Sequence, residues 1–242
     1  MKKYFLLVCT ALFPLTGAAE IDFRNYRLEN SSLHEENIMW HSFYSYNAID
    51  KKSPRALLVG DSICRGYQSS VREILGKKVN ITYWATSNCI TDPFYLQMLE
   101  MILAREKFDI IIFNNGLHSL SADKPAWRKA FSLAMDYLAK RVPAAKVVVL
   151  NSTPKKDGDP RVKELNLLAE SVAIEKNLAL ADIYSLCVNW DKKAWTDRYH
   201  FNSKARRQQA EFVANVILKY IGRTADDLVQ KSSETGPDGK IK

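Results

Sequence analysis

A serine near the start of the chain and an aspartate–histidine pair near its end are the residues best placed to do chemistry. Gly60-Asp61-Ser62 follows the apolar run Ala56-Leu57-Leu58-Val59, and Asp197-Arg198-Tyr199-His200 comes just before the last amphipathic stretch. A serine hydroxyl is a poor nucleophile at neutral pH until an imidazole accepts its proton, and the imidazole must present the correct nitrogen. An aspartate three residues before His200 can reach back to its Nδ1 within one loop turn, leaving Nε2 free to face Ser62. Ser62 as nucleophile, His200 as general base and Asp197 as its orienter would together carry acyl transfer through a covalent serine intermediate.

Something must bring these distant segments together. From Pro54 onward, short β-branched runs alternate with segments whose apolar residues recur three and four apart. The strand candidates are residues 56–60, 79–84, 109–113, 146–151 and 178–183. Trp127, Phe131, Ala134 and Leu138 form one helical stripe, and Leu165, Leu168 and Val172 form another behind an Asp159-Pro160 start signal. Asn202-Ser203 is positioned to cap a final helix whose Phe212, Val213, Val216, Ile217 and Tyr220 face inward, with Gly222 near its end. Such alternation predicts a parallel sheet covered on both faces. In an open parallel sheet the ligand site lies beyond the carboxyl ends of the strands. Ser62 follows the first strand, Thr86-Ser87-Asn88 the second, Asn114-Asn115-Gly116-Leu117-His118 the third, and Asp197 and His200 come after the fifth. All these polar residues are therefore expected at one edge.

Gly60-Asp61-Ser62 and the Asp-x-x-His of Asp197 to His200 resemble the first and last blocks of the SGNH hydrolases, also called GDSL-like esterases and lipases, over about residues 54–222. The resemblance implies a three-layer α/β/α sandwich with a five-stranded parallel sheet, flavodoxin-like in architecture, and the triad Ser62, His200 and Asp197. The middle blocks depart from the common pattern. Asn114-Asn115-Gly116 stands where Gly-x-Asn-Asp is usual, and is more similar to the Asn-x-Gly variants of the PC-esterase and plant polysaccharide O-acetylation branch. On that resemblance Asn114 is the first candidate for a side-chain amide donating to the oxyanion, with Asn115 behind it. The Ser62 N–H and an N–H near Asn88 or Cys89 would complete the hole. The usual second-block glycine is absent.

Other residues carry two readings each. Asn114 and Asn115 could instead close a strand-to-helix turn. His118 is either a supporting hydrogen-bond partner or a substrate contact. Arg65 could meet an acidic substrate or pair with Asp92 or Asp61. Trp190 and Trp195 could form a sugar-stacking wall or pack in the core.

The flanks have another character. Met1-Lys2-Lys3, an apolar run to Leu15 and Gly17-Ala18-Ala19 have the order of a secretory signal, too short for a good membrane span, so residues 1–19 are expected to be removed and the protein exported to the periplasm or beyond. Residues 20–53, rich in aromatics (Phe23, Tyr26, Trp40, Phe43, Tyr44 and Tyr46), are expected to wrap the core, and the polar residues 223–242 to be a disordered tail. The formal charge of +8 is spread along the chain without a basic run interleaved with aromatics, which argues against nucleic acid. Of the cysteines, Cys64 and Cys89 could be neighbours, but three separate buried thiols at Cys64, Cys89 and Cys187 are expected. No Cys/His spacing resembles a metal site, and the implied chemistry needs no cofactor. The expected substrate is a small acyl ester, with an acetylated carbohydrate as the specific expectation. Lipid-ester or thioester hydrolysis, acetyl transfer to a sugar hydroxyl, and carbohydrate binding on a degenerate hydrolase fold are the alternatives.

Overall fold

The computed structural model describes residues 36–221. The signal-like segment, Phe23, Tyr26, Gly222 and the tail 223–242 lie outside the described residues. Six strands form one sheet: β1 (His41–Ser45), β2 (Arg55–Gly60), β3 (Asn80–Thr86), β4 (Ile110–Phe113), β5 (Lys146–Leu150) and β6 (Ala179–Ala181), in the spatial order β1-β3-β2-β4-β5-β6. The five strands from β2 to β6 are parallel, and β1 pairs antiparallel with β3, Phe43 opposite Trp84. The sheet thus holds the five expected parallel strands plus an edge strand from the aromatic segment, which gave no clear period because β1 has only one neighbour and faces solvent in part.

Every residue of β2, β3 and β4 is buried, as expected of strands covered on both faces. Their side chains alternate between two cores. Ala56, Leu58, Ile110, Ile112, Val148 and Leu150 pack with helices α1 (Ser62–Leu75), α5 (Ile183–Cys187) and α6 (Ser203–Tyr220). Leu57, Val59, Ile111, Phe113, Val147 and Val149 pack with α2 (Tyr95–Leu103), α3 (Lys124–Arg141) and α4 (Pro160–Glu175). This is a three-layer α/β/α sandwich.

The chain order places a switch point at β2. From β2 the chain first adds β3 on one side, then crosses to add β4 on the other, so the loops diverge at the carboxyl end of β2 and open a crevice there. Each helix at that crevice has its own start signal. Asp61 caps α1 by accepting from the Ile63 amide at 2.8 Å, and Asn202 caps α6 by accepting from the Ala205 amide at 2.9 Å. Gly60 is needed for a different reason: a Cβ there would lie 2.7 Å from the Cβ of Cys64, so only glycine lets the strand turn so tightly into the helix.

Candidate active site

The tripeptide 60–62 divides its labour among three residues. Gly60 permits the turn, Asp61 caps the helix, and Ser62 becomes the first residue of α1 at the crevice, partly exposed. Its N–H belongs to the first turn, whose amides have no intrahelical partner.

The facing loop is a tight turn. Trp195 and Phe201 pair across it, the Thr196 amide donates to the His200 carbonyl at 2.8 Å, and the Asp197 carboxylate folds over the turn. One Asp197 oxygen accepts from the amides of Tyr199 and His200 at 2.7 and 2.8 Å, and the other lies 2.7 Å from His200 Nδ1. His200 Nε2 lies 2.8 Å from Ser62 Oγ. Desolvation pushes the Asp197 carboxyl upward, but the two backbone amides and the imidazole outweigh it and hold the group down at about 2. An ionised Asp197 at Nδ1 fixes a tautomer in which Nε2 is free to accept the serine proton. The pair is open to water, with side-chain exposures of 45% for His200 and 53% for Asp197.

A second loop, after β5, steadies this turn. The Lys156 amide donates to the Arg198 carbonyl at 3.0 Å, Arg198 pairs with Asp157 at 2.6 Å, and Lys155 Nζ lies 5.0 Å from the centre of the Tyr199 ring. The Lys155 side chain is 1% exposed and pairs with Asp159 at 2.5 Å. Sequence reasoning passed over this segment, although Thr153-Pro154-Lys155-Lys156-Asp157 also follows a strand at the same edge.

The asparagines are tied down. Asn114 Nδ2 donates to the Leu150 carbonyl at 2.9 Å and to Ser152 Oγ at 3.0 Å. Its side chain lines a small cavity of about 10 Å³ together with Asp61 and Ile63, the two neighbours of Ser62. Asn115 is more completely engaged: its oxygen accepts from the Ile90 amide at 3.0 Å and Ser119 Oγ at 2.7 Å, while Nδ2 donates to the Asn88 carbonyl at 3.0 Å. Asn88 donates through Nδ2 to Asp92 at 2.5 Å and through its N–H to Thr86 Oγ1 at 3.0 Å. Gly116 is required here, because a Cβ would lie 1.8 Å from Ser152 Oγ.

The remaining candidates separate. Arg65 lies on the rim of the cleft beside Ser62 and His200, its guanidinium 4.6 Å from the Trp40 ring centre, and makes no ion pair with Asp61 or Asp92. His118 stands apart from that cleft; its Nδ1 is 2.6 Å from Glu36, and its ring meets Trp40 edge-on. Trp195 is 7% exposed and packs 4.9 Å from Phe201, which Trp190 meets edge-on. The Trp195 side chain therefore belongs to the core and offers no stacking face, since the turn it starts buries the ring. Gln209, Thr196 and Arg206, none of them singled out in the sequence, also line the Ser62 cleft. Cys64, Cys89 and Cys187 are free and buried. Among the described residues no group of three or more metal-ligating side chains is assembled, and no helix is long and apolar enough to cross a membrane.

No family model and no curated protein matches the sequence. Solved structures do match the fold. An acetyl xylan esterase, AlAXEase, is 18% identical and superimposes with a TM-score of 0.58 over 67% of this chain and 99% of its own. An acetylxylan esterase from Geobacillus stearothermophilus is 15% identical, with a TM-score of 0.54 over 72% of this chain and 98% of that one. A lipase/acylhydrolase from Enterococcus faecalis is 18% identical, with a TM-score of 0.55 over 71% of this chain and all of its own. The chain has the fold of the SGNH, or GDSL-like, hydrolases.

Proposed function

We propose that this protein is a serine esterase that hydrolyses small acyl esters, acetyl above all, from carbohydrate hydroxyls. The observation that carries the reading is the continuous line Ser62 Oγ, His200 Nε2, His200 Nδ1, Asp197 Oδ2, with contacts of 2.8 and 2.7 Å at the edge where this fold opens its crevice. In the first half-reaction His200 takes the Ser62 proton as Oγ attacks the ester carbonyl, and then gives that proton to the departing alcohol. In the second, water loses its proton to His200 and attacks the acyl-serine, releasing the acid and restoring Ser62. Asp197 stays ionised throughout and balances the imidazolium in each half.

The oxyanion is assigned first to the Ser62 backbone N–H, which needs no rearrangement. Asn114 is the proposed side-chain donor and must give up one of its bonds, to Leu150 or Ser152, as the tetrahedral oxygen forms; catalytic hydrogen bonds often tighten only in the substrate complex. Asn115 and Asn88 are proposed as the frame behind that donor. The acetyl group and the sugar are supported by the likeness of the fold to the two acetylxylan esterases above and by the signal-like N-terminus, which supports export after cleavage near Ala19.

A fluorophosphonate probe and a panel of acetylated glycans test the reading together. The probe should modify Ser62 and no other serine, and acetate should be released from at least one glycan. A folded protein that neither takes the probe nor releases acetate from glycans or aryl acetates would overturn it.

A further inference from the structure

The cleft beside Ser62 and His200, about 240 Å³, is lined by two arginines, Arg65 and Arg206, and by no carboxylate. They reach it by matching routes. Arg65 stands three residues after Ser62 on α1 and therefore shares its face of the helix; Arg206 stands in the first turn of α6, which begins three residues after His200. Gly66, beside Arg65, leaves room for the Arg206 stem: a Cβ at position 66 would sit 3.1 Å from Arg206 Cδ.

Neither guanidinium has an ion-pair partner among the described residues, a state they share with Arg72 and Arg105, which lie over Tyr46 and Phe43 away from this cleft; Arg55, Arg128, Arg141, Arg161, Arg198 and Arg207 are all paired. The Trp40 ring holds Arg65 by its face, which leaves the N–H edge free and restrained, the arrangement suited to receiving a planar anion edge-on. Both side chains are exposed, so they are accessible to a ligand in the cleft.

We propose that Arg65 and Arg206 form an anion-recognition site for the alcohol part of the substrate, so that the esters turned over best carry a carboxylate or phosphate beside the acylated hydroxyl. The inference rests on the esterase reading above and names the chemistry of its substrate. Uronate-containing glycans would supply a carboxylate, and sugar phosphates a phosphate.

The test compares pairs of esters that differ only in charge. One arm uses an O-acetylated hexuronate oligosaccharide and its neutral carboxyl methyl ester; the other uses an acetylated hexose phosphate and its unphosphorylated parent. The charged member should have a kcat/KM higher by about tenfold or more in at least one arm, and the arm that shows it identifies the anion. The preference should shrink as salt is raised. Arg65→Gln with Arg206→Gln should bring the ratio near unity, and Arg65→Lys with Arg206→Lys should restore part of it. Equal rates for charged and neutral esters in both arms would overturn the inference while leaving the esterase intact, as would a preference that survives the double glutamine variant. If none of the four esters nor an aryl acetate is cleaved, the esterase reading itself fails and this inference with it.

Discussion

The two edges of the sheet carry polar clusters of opposite design. At the amino edge Arg55 is buried at 4% exposure, and its guanidinium donates to the Tyr46 and Asn47 carbonyls, each at 2.8 Å, with Glu106 3.6 Å from its Nε. Glu106 in turn accepts from Ser45 and Thr82 at 2.7 and 2.8 Å. This cluster ties the residue 45–50 turn, and with it β1, onto β2 and β3. At the carboxyl edge Ser62, His200 and Asp197 form a line that is partly open to water, and its serine has its far side free. A saturated and buried network holds structure in place; an unsaturated and accessible one has bonding capacity left for a substrate. The hollow at the amino edge is the larger, about 920 Å³ against 240 Å³, yet no serine–histidine pair lines it, so size alone points to the wrong edge.

Removing one group from each edge should separate the two designs. Ser62→Ala should lower turnover of a small aryl acetate by more than about 10⁴-fold, because in the proposed mechanism the hydroxyl itself forms the intermediate, and should leave the thermal melt close to wild type. A variant retaining a tenth of the normal rate, measured per folded molecule, would sink the triad assignment. Arg55→Ala should do the reverse: it strands the Glu106 carboxylate and several carbonyls and should cost about 3–5 kcal/mol of stability. Denaturant titration reads this directly, and a loss under 1 kcal/mol would mean that water replaces the guanidinium at little cost.

The carboxyl edge was far more legible in the sequence than the amino edge, for a physical reason. Gly60 and Asp61 act on their immediate neighbours, as Asp197 does on His200, so local spacing carried the geometry on each side of the long-range Ser62–His200 contact. Arg55 gave no signal because its partners come from residues 46, 47 and 106, and sequence alone does not tell a buried arginine from a surface one. Lys155 has its ion-pair partner only four residues on, at Asp159, and was missed because sequence does not show that its side chain is buried. The five parallel strands announced themselves as short, largely apolar and β-branched runs alternating with helical stripes, while β1 did not, since an edge strand alternates only weakly. Trp195 shows the limit even of local spacing: a tryptophan at the start of the Asp197–His200 turn can point into the cleft or under it, and the pairing with Phe201 buries it.

Asn114 and Asn115 lie between the two extremes and divide the same way. Asn115 commits both ends of its amide, the oxygen to Ile90 and Ser119 and the nitrogen to Asn88, so Asn115→Ala should cost about 2 kcal/mol of stability through the stranded partners. Asn114 is part-exposed, and as oxyanion donor its removal should slow acylation by roughly 10²–10³, about 3–4 kcal/mol, with little change in KM. Melts and single-turnover kinetics on both variants sharpen the contrast. A slow but stable Asn115→Ala beside a normal Asn114→Ala would exchange their roles, and normal rates in both would leave the hole to backbone amides.

The smallest expected effect concerns Asp197, and its sign separates a working carboxylate from a structural one. Its pKa is held down at about 2 against an ordinary value of 3.8, by the His200 and Tyr199 amides and the imidazole working against desolvation. A group whose folded-state pKa is depressed stabilises the fold fully above its unfolded pKa, and that contribution is lost as pH falls through the folded value. The window for Asp197 is therefore about pH 4 down to 2. More than half of the side chain is exposed, so solvent screens the interactions and the contribution should be below about 1 kcal/mol. Stability of wild type and Asp197→Asn, followed by denaturant titration from pH 7 downward, should differ by less than that at neutral pH and converge toward pH 2. A gap of several kcal/mol would show that Asp197 holds the 195–201 turn together as Arg55 holds the opposite edge, and the contrast between the two edges would then be one of degree.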